Sequence, residues 1–134
     1  MTFHHIGLIA ENLDQASQQF GQLTASSLEL VIDEVQQNEI HIFPGFGNVR
    51  FVELLIPLST KSTVSRSLGR YGPGLHHLAK EVPSLAKTRA RLVKSPGNVV
   101  VASFNLNVSA FGGAISTLFV SNNGLLLEYL EVSN

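Results

Sequence analysis

The segment at residues 72–82 runs GPGLHHLAKEV and places two adjacent histidines in a short apolar stretch. Glycine and proline precede the histidines, and the apolar residues around them predict a β-strand. A second histidine pair stands near the start of the chain, in TFHHIGLIA at residues 2–10. This stretch also predicts a strand, because it is short and apolar. Two strands that each carry a histidine pair indicate an internal repeat.

The same succession of elements follows both histidine pairs. An amphipathic helix is predicted over residues 11–23 and a second helix over residues 83–95. They open with Leu13 and Leu85, eight positions after His5 and His77. Three more strands follow each helix, at residues 27–35, 39–45 and 49–57 and at residues 98–106, 113–121 and 124–132. The sequence therefore predicts an α+β fold in which two βαβββ modules in tandem are related by pseudo-twofold symmetry.

The predicted organisation is a single domain over residues 1–134. Module one covers about residues 1–58, a connector with a short helix covers about 59–73, and module two covers about 74–134. Hydrophobic residues make up 44% of the chain and charged residues 14%, which favours a packed core over disorder.

Composition also narrows the function classes. The net charge of −1 gives no basic excess for nucleic acid, and the absence of cysteine excludes disulfides, thiolate metal sites and a cysteine nucleophile. No apolar run is long enough to span a bilayer, and the first residues lack a signal-peptide pattern. These features predict a cytoplasmic protein without membrane or nucleic-acid partners.

Each module carries a glutamate flanked on both sides by apolar residues of its last strand. Glu53 lies in VRFVELLIPL, 48 residues after His5, and Glu128 lies in GLLLEYLEV, 51 residues after His77. A buried, unpaired carboxylate costs several kcal/mol, so each glutamate must be paired, protonated or bound to a cation. Either glutamate alone is compatible with a solvated carboxylate at the rim of a sheet. The repeat, however, predicts that two histidines and two glutamates come together.

Two histidines and two carboxylates suit a divalent cation such as zinc, cobalt, nickel, manganese or ferrous iron. Four protein ligands leave open positions for water or substrate on a metal that takes five or six ligands. Neighbouring residues of a strand point to opposite faces, so only one histidine of each pair is expected to face a shared cleft. The pattern alone leaves open which one.

Three segments resemble the vicinal oxygen chelate superfamily, which includes glyoxalase I, extradiol dioxygenases and bleomycin-resistance proteins. They are HHIGLIAENLDQA, the middle segment GNVRFVELLIPLSTKSTVSRSLGRYGPGLHHLAKEV, and GLLLEYLEV. Within this superfamily the segments are most similar to those of the methylmalonyl-CoA epimerases. The resemblance implies paired modules whose sheets curl around a metal-binding cleft. It also implies the metal ligands, which are His5, Glu53, His77 and Glu128, so that His4 and His76 would point to the other face.

The resemblance implies two bases for an epimerase, and one of them is Glu128. The second base of the family is a glutamate on the third strand of the first module, where this chain has His41 with Glu39 two residues earlier. Glu53 is a further departure, because the epimerases often have glutamine at this position. A glutamate there is closer to glyoxalase I. Residues 105–120 match the family only weakly, and this region helps to shape the acyl pocket.

The function implied is a metal-dependent isomerase or epimerase that removes a proton next to a thioester carbonyl. Its catalytic residues would be Glu128 and His41, its substrate an acyl thioester, and its assembly a homodimer. A glyoxalase I-like reaction on a glutathione hemithioacetal is the nearest alternative. A non-catalytic module that sequesters a small molecule is another, although such members generally lack the four ligands.

Overall fold

The computed structural model describes residues 2–21 and 27–133. Within these residues the strands are β1 (Phe3–Ile9), β2 (Glu29–Asp33), β3 (Asn38–Pro44), β4 (Val49–Pro57), β5 (Gly74–Glu81), β6 (Asn98–Val108), β7 (Gly113–Asn122) and β8 (Leu125–Val132). The α-helices are α1 (Leu13–Phe20), α2 (Ser65–Tyr71) and α3 (Leu85–Leu92), and a 3₁₀ turn spans Ser109–Phe111. The predicted βαβββ order therefore occurs twice, with α2 between the two copies.

All eight strands form one mixed sheet, in the order β2-β3-β4-β1-β5-β8-β7-β6. The order is symmetric about its centre, where β1 and β5, the first strands of the two modules, pair antiparallel. On its other side, each of these strands pairs in parallel with the last strand of its own module. The sheet curls into a half-barrel, so the predicted α+β fold of tandem modules is confirmed. The single-domain boundaries stay a prediction.

A side chain links the outermost strands of the two modules. The carboxylate of Glu29 on β2 accepts hydrogen bonds from the backbone N–H groups of Ser109 and Ala110, at 3.1 and 2.6 Å. These donors belong to the 3₁₀ turn that follows β6. The edge of module one is therefore tied to module two, which holds the curl of the sheet.

The two faces of the sheet are packed differently. On the outer face, Ala16 of α1 packs against Leu8, Val52 and Leu54, and Leu92 of α3 packs against β7. The inner face carries a separate apolar cluster with members from both modules and α2: Ile9, Ile40, Ile42, Leu55, Val64, Leu68, Ala79, Val108, Phe111, Ile115 and Leu130. Alternate residues of each central strand thus belong to different cores.

Local sequence signals account for the helix ends and the last hairpin. The Asn12 side chain accepts from the backbone N–H of Gln15 at 2.8 Å at the start of α1, and Ser84 caps α3 in the same way. The predicted first helix ends at Phe20, and residues 22 and 23 of that prediction lie outside the described residues. Asn123 and Gly124 both have positive φ, as the tight turn between β7 and β8 requires. No helix in residues 2–21 or 27–133 is long and apolar enough to cross a membrane.

Candidate metal centre

The four predicted ligands lie together in the structure. His5, Glu53, His77 and Glu128 are all buried, and each offers one nitrogen or oxygen atom within 4.8 Å of those of the others. His5 Nε2 lies 3.0 Å from Glu128 Oε1 and 3.5 Å from Glu53 Oε2. His77 Nε2 lies 3.1 Å from Glu128 Oε1 and 3.4 Å from Glu53 Oε1. The two Nε2 atoms are 3.2 Å apart.

These separations are those expected for ligands that share one small cation. Two ligand atoms that are each about 2.1 Å from an ion lie about 3.0 Å apart at a right angle and about 3.4 Å apart at a tetrahedral angle. The five separations above run from 3.0 to 3.5 Å. The donor set, two imidazole nitrogens and two carboxylates, also suits a divalent ion. The residues present therefore fit a metal.

In module one, strand register places the ligands. Gly7, two residues after His5, pairs with Glu53 on the parallel strand β4. Residues two apart on a strand share a face, so His5 and Glu53 both face inward. A Cβ atom on Gly7 would lie 2.0 Å from Cε1 of His77, so only glycine leaves room for that ring.

Module two repeats this arrangement. Ala79, two residues after His77, pairs with Glu128 on β8. Across the central strand pair, His5 lies opposite Ala79 and His77 lies opposite Gly7. The same offset in both modules is the pseudo-twofold relation at the level of single residues, and it brings the ligands of both modules to one point.

The first histidines of the two pairs lie beside the second ones and do not point away from them. His4 Nδ1 is 2.8 Å from His5 Nδ1, and His76 Nδ1 is 2.9 Å from His77 Nδ1. His76 also lines the inner cavity, which corrects the expectation that it faces outward. The cause is a bulge in β5: Gly7 pairs with His77 but the next residue of β1 pairs with Leu75, so His76 is skipped.

Attraction between the histidines and the glutamates of the cluster shifts the pKa values of His77 and Glu128. Burial alone would raise the pKa of the Glu128 carboxyl, but attraction to His5 and His77, together with their hydrogen bonds, holds it well below 4.5. Burial lowers the pKa of His77, whereas hydrogen bonds and attraction from Glu128 and Glu53 outweigh it and raise the pKa to about 9. Without a metal, the two carboxylates thus favour a proton on His77.

The first histidine of each pair, His4 or His76, is neutral near pH 7. Burial, then the charges of His5 and Arg50, lowers the pKa of His4 to about 3. Burial, then the charge of His77, lowers the pKa of His76 to about 4. Each pair therefore combines one neutral ring with one ring directed at the carboxylates.

A cavity of about 370 Å³ opens beside the cluster, with Glu53 and Glu128 in its wall. Most of the remaining wall is apolar: Ile40, Leu55, Val64, Val101, Ala102, Phe104, Leu106, Ile115, Phe119 and Leu126. The polar part is formed by Asp33, Gln36, Asn38, Thr63, His76 and Thr117. No lysine or arginine of the described residues lines it. The cavity therefore suits a partly apolar ligand and places it beside two carboxylates of the cluster.

His41 lies away from this cavity, which corrects its assignment as a base facing Glu128. Ile42 of β3 pairs with Glu53, so the even-numbered residues of β3 face inward and His41 faces outward. Its Nε2 lies 2.5 Å from Glu39 Oε1, and its ring stacks near that of Phe43. Glu39 shares the outer face, so neither residue reaches the cluster.

Two contributors to the site were not predicted from the sequence. Thr117 is buried, and its hydroxyl donates to Glu128 Oε2 at 2.6 Å. The Phe111 ring stacks on the His5 ring, with centroids 5.2 Å apart. The sequence could have indicated Thr117, because it is a threonine within the apolar predicted strand GAISTLFVS. No sequence pattern indicates Phe111, which lies in the turn after β6.

The Glyoxalase/Bleomycin resistance protein/Dioxygenase superfamily model matches residues 4–107. No curated protein matches the sequence. Among solved structures, methylmalonyl-CoA epimerase from Mycobacterium tuberculosis is 22% identical with a TM-score of 0.78, over 99% of this chain and 89% of that one. A Streptomyces coelicolor methylmalonyl-CoA epimerase variant in complex with 2-nitronate-propionyl-CoA is 21% identical with a TM-score of 0.76, over 100% and 99%. Hypothetical protein BH1468 from Bacillus halodurans C-125 is 22% identical with a TM-score of 0.76, over 99% and 95%.

At these identities the solved structures show a shared fold, and the family model covers most of the chain. The range that the family model matches, residues 4–107, includes His5, Glu53 and His77 of the cluster, and Glu128 lies beyond it. The chain therefore belongs to the glyoxalase/bleomycin resistance protein/dioxygenase superfamily, the vicinal oxygen chelate proteins.

Proposed function

We propose that this chain is a metal-dependent isomerase or epimerase that removes and returns a proton on the carbon next to a thioester carbonyl. The observation that carries the proposal is the buried cluster of two imidazole Nε2 atoms and two carboxylates, whose carboxylates lie in the wall of a mostly apolar cavity. His5, Glu53, His77 and Glu128 would hold the ion, and zinc, cobalt, nickel, manganese and ferrous iron all suit this donor set. When bound, such an ion stabilises negative charge that develops on a carbonyl oxygen after proton loss.

Glu128 is the proposed base. Thr117 donates to its Oε2 atom, while its Oε1 atom faces both histidines, so the carboxylate is held in one orientation at the cavity wall. Attraction to the histidines keeps it ionised at neutral pH, because its pKa lies well below 4.5. An ionised carboxylate that borders an apolar cavity can accept a proton from a bound substrate.

Inversion at a carbon needs a second group that exchanges a proton on the other face. Because His41 lies on the outer face, we assign this role to Glu53, which lines the same cavity as Glu128 but comes from the other module. The residue of β3 that corresponds to Thr117 is Ile40, which has no hydroxyl to hold the Glu53 carboxylate. Glu53 is thus the less restrained of the two carboxylates.

The proposed substrate is an acyl thioester, and methylmalonyl-CoA is the first to test. An apolar wall suits an acyl group, and the structures of similar fold include epimerases in complex with methylmalonyl-CoA or a CoA analogue. The glyoxalase-like reaction remains the second candidate because residue 53 is a glutamate, as in glyoxalase I.

Metal analysis of the purified protein, followed by proton NMR in deuterated water, tests the proposal. We expect about one divalent ion per chain and exchange of the α-proton of methylmalonyl-CoA. Glu128→Gln should reduce exchange roughly 10²–10⁴-fold, whereas Glu81→Gln, at an exposed glutamate on β5, should leave it unchanged.

Two results would contradict the proposal in different ways. Turnover of a glutathione hemithioacetal without exchange on any CoA thioester favours the glyoxalase-like reaction. Tight binding of a small molecule without metal or turnover favours a sequestering module. A homodimer in the cytoplasm remains part of the proposal, and sedimentation of the purified protein tests the dimer.

A further inference from the structure

Both modules contain the same contact between neighbouring imidazole rings. The Nδ1 atoms are 2.8 Å apart in the His4–His5 pair and 2.9 Å apart in the His76–His77 pair. These are hydrogen-bond distances, so one nitrogen of each pair donates and the other accepts. The contact occurs twice in a repeat whose sequences otherwise differ widely, and in both places it sits directly behind a ring of the cluster.

The direction of each hydrogen bond follows from the opposite side of the inner ring. His5 and His77 present Nε2 to the cluster, 3.2 Å apart. A neutral imidazole carries one proton, and a nitrogen that binds a cation must be bare. If these Nε2 atoms bind a metal, the proton of each ring must reside on Nδ1. The neighbouring Nδ1 must then accept it, which puts the proton of His4 and of His76 on Nε2.

We infer that His4 and His76 are positioning residues, which hold His5 and His77 in the one tautomer and orientation that can bind a metal through Nε2. This inference rests on the proposed metal centre. Ligating histidines usually donate their second N–H to a carboxylate, a backbone carbonyl or water, and here a histidine side chain takes that place in both modules.

The surroundings of His4 keep its ring fixed. The side chain is buried, and its ring lies against the rings of Phe51 and Phe111, at centroid distances of 5.3 and 4.5 Å. Its Nε2 atom is buried and has no hydrogen-bond partner among the described residues. Among the described residues, the Nδ1 contact with His5 is therefore the polar contact of this ring, whichever nitrogen donates, and it repays part of the cost of burying the ring.

His76 differs because it is half-buried and faces two cavities. It lines both the main cavity and a second cavity of about 300 Å³ between α2 and the β7–β8 turn. Solvent can therefore replace its hydrogen bond to His77 more easily than it can replace that of His4. Loss of the His4 side chain should accordingly weaken metal binding more than loss of His76.

Substitution by leucine and by asparagine separates this role from simple packing. Leucine fills the space without an acceptor, whereas the Oδ1 atom of asparagine stands close to the position of histidine Nδ1 and can accept. We expect His4→Leu and His76→Leu to weaken Zn²⁺ binding, measured by calorimetry with a competing chelator, by about 10–100-fold. His4→Asn and His76→Asn should recover most of the affinity. His41→Asn, a buried histidine on the outer face, is the matched control and should bind as the wild type does.

A spectroscopic measurement on the wild type does not depend on any variant folding. In ¹⁵N-labelled, Zn²⁺-loaded protein, the NMR shifts should show a protonated Nδ1 on His5 and His77 and a bare Nδ1 on His4 and His76. The opposite tautomers, or leucine variants that fold and bind Zn²⁺ as tightly as the wild type, would overturn the inference and leave the metal centre intact. Failure of the wild type to bind Zn²⁺ or Co²⁺ would remove the metal centre itself, and the inference with it.

Discussion

Removal of metal should make the stability of this protein depend on pH in a way that the cluster dictates. Without a cation, the carboxylates raise the pKa of His77 from 6.5 to about 9. The folded protein therefore binds a proton more tightly than the unfolded chain does. This contribution to the free energy of unfolding is fully present below pH 6.5 and is lost as the pH rises through 9.

The size of the loss follows from the two pKa values. A change from 6.5 to about 9 corresponds to about 3 kcal/mol, at about 1.4 kcal/mol for each factor of ten in proton affinity. Below pH 6.5 the free energy of unfolding should change with pH in the opposite direction, because burial lowers the pKa of His4 to about 3 and that of His76 to about 4. These histidines remove stability as the pH falls below 6.5, so the metal-free protein should be most stable close to pH 6.5.

Urea unfolding in the presence of a chelator measures this dependence. The chain has no tryptophan, so circular dichroism is the appropriate signal. Between pH 6.5 and 9.5 we expect the free energy of unfolding to fall by up to about 3 kcal/mol, and His77→Gln should flatten this limb. Saturating Zn²⁺ should also flatten it, because an ion replaces the proton. If the free energy of unfolding of His77→Gln falls as steeply between pH 6.5 and 9.5 as that of the wild type, the reasoning is refuted.

Three further predictions address single contacts. Thr117→Val should lower the free energy of unfolding by about 1.5–3 kcal/mol in urea titrations, because it removes the 2.6 Å hydrogen bond to a buried carboxylate; an unchanged midpoint would contradict this. Gly7→Ala should abolish Zn²⁺ binding in calorimetry, since its Cβ would lie 2.0 Å from His77, whereas Gly69→Ala, with open space around it, should bind normally. Glu53→Gln keeps an oxygen ligand and should retain metal, yet slow inversion of the substrate about 10²–10⁴-fold in a chiral assay; wild-type inversion would exclude Glu53 as the second base.

Features that depend on residues close together in the sequence could be predicted from the sequence. The strands and helices follow from local periodicity and composition, and the turn at Asn123 and Gly124 follows from residues that tolerate positive φ. The repeat follows from equal offsets between the histidines, the helix starts and the glutamates. Because the repeat relates the two modules, the grouping of one histidine and one glutamate from each module could be predicted without knowledge of the register, and the family resemblance added that His5 and His77 are the histidines.

The tertiary structure decided what depends on strand register and on departures from regular strands. His41 and Ile42 are equally plausible inward residues until the pairing of Ile42 with Glu53 sets the face of β3, and that pairing is a contact between strands. Likewise, His76 should face outward on a regular strand, and only the bulge opposite Gly7 turns it into the cavity. A shift of one residue in register exchanges the two faces of a strand while leaving its local pattern unchanged. For this reason the sequence, with its family resemblance, could group the four clustered residues, whereas the outward position of His41 and the contacts within the histidine pairs required the folded sheet.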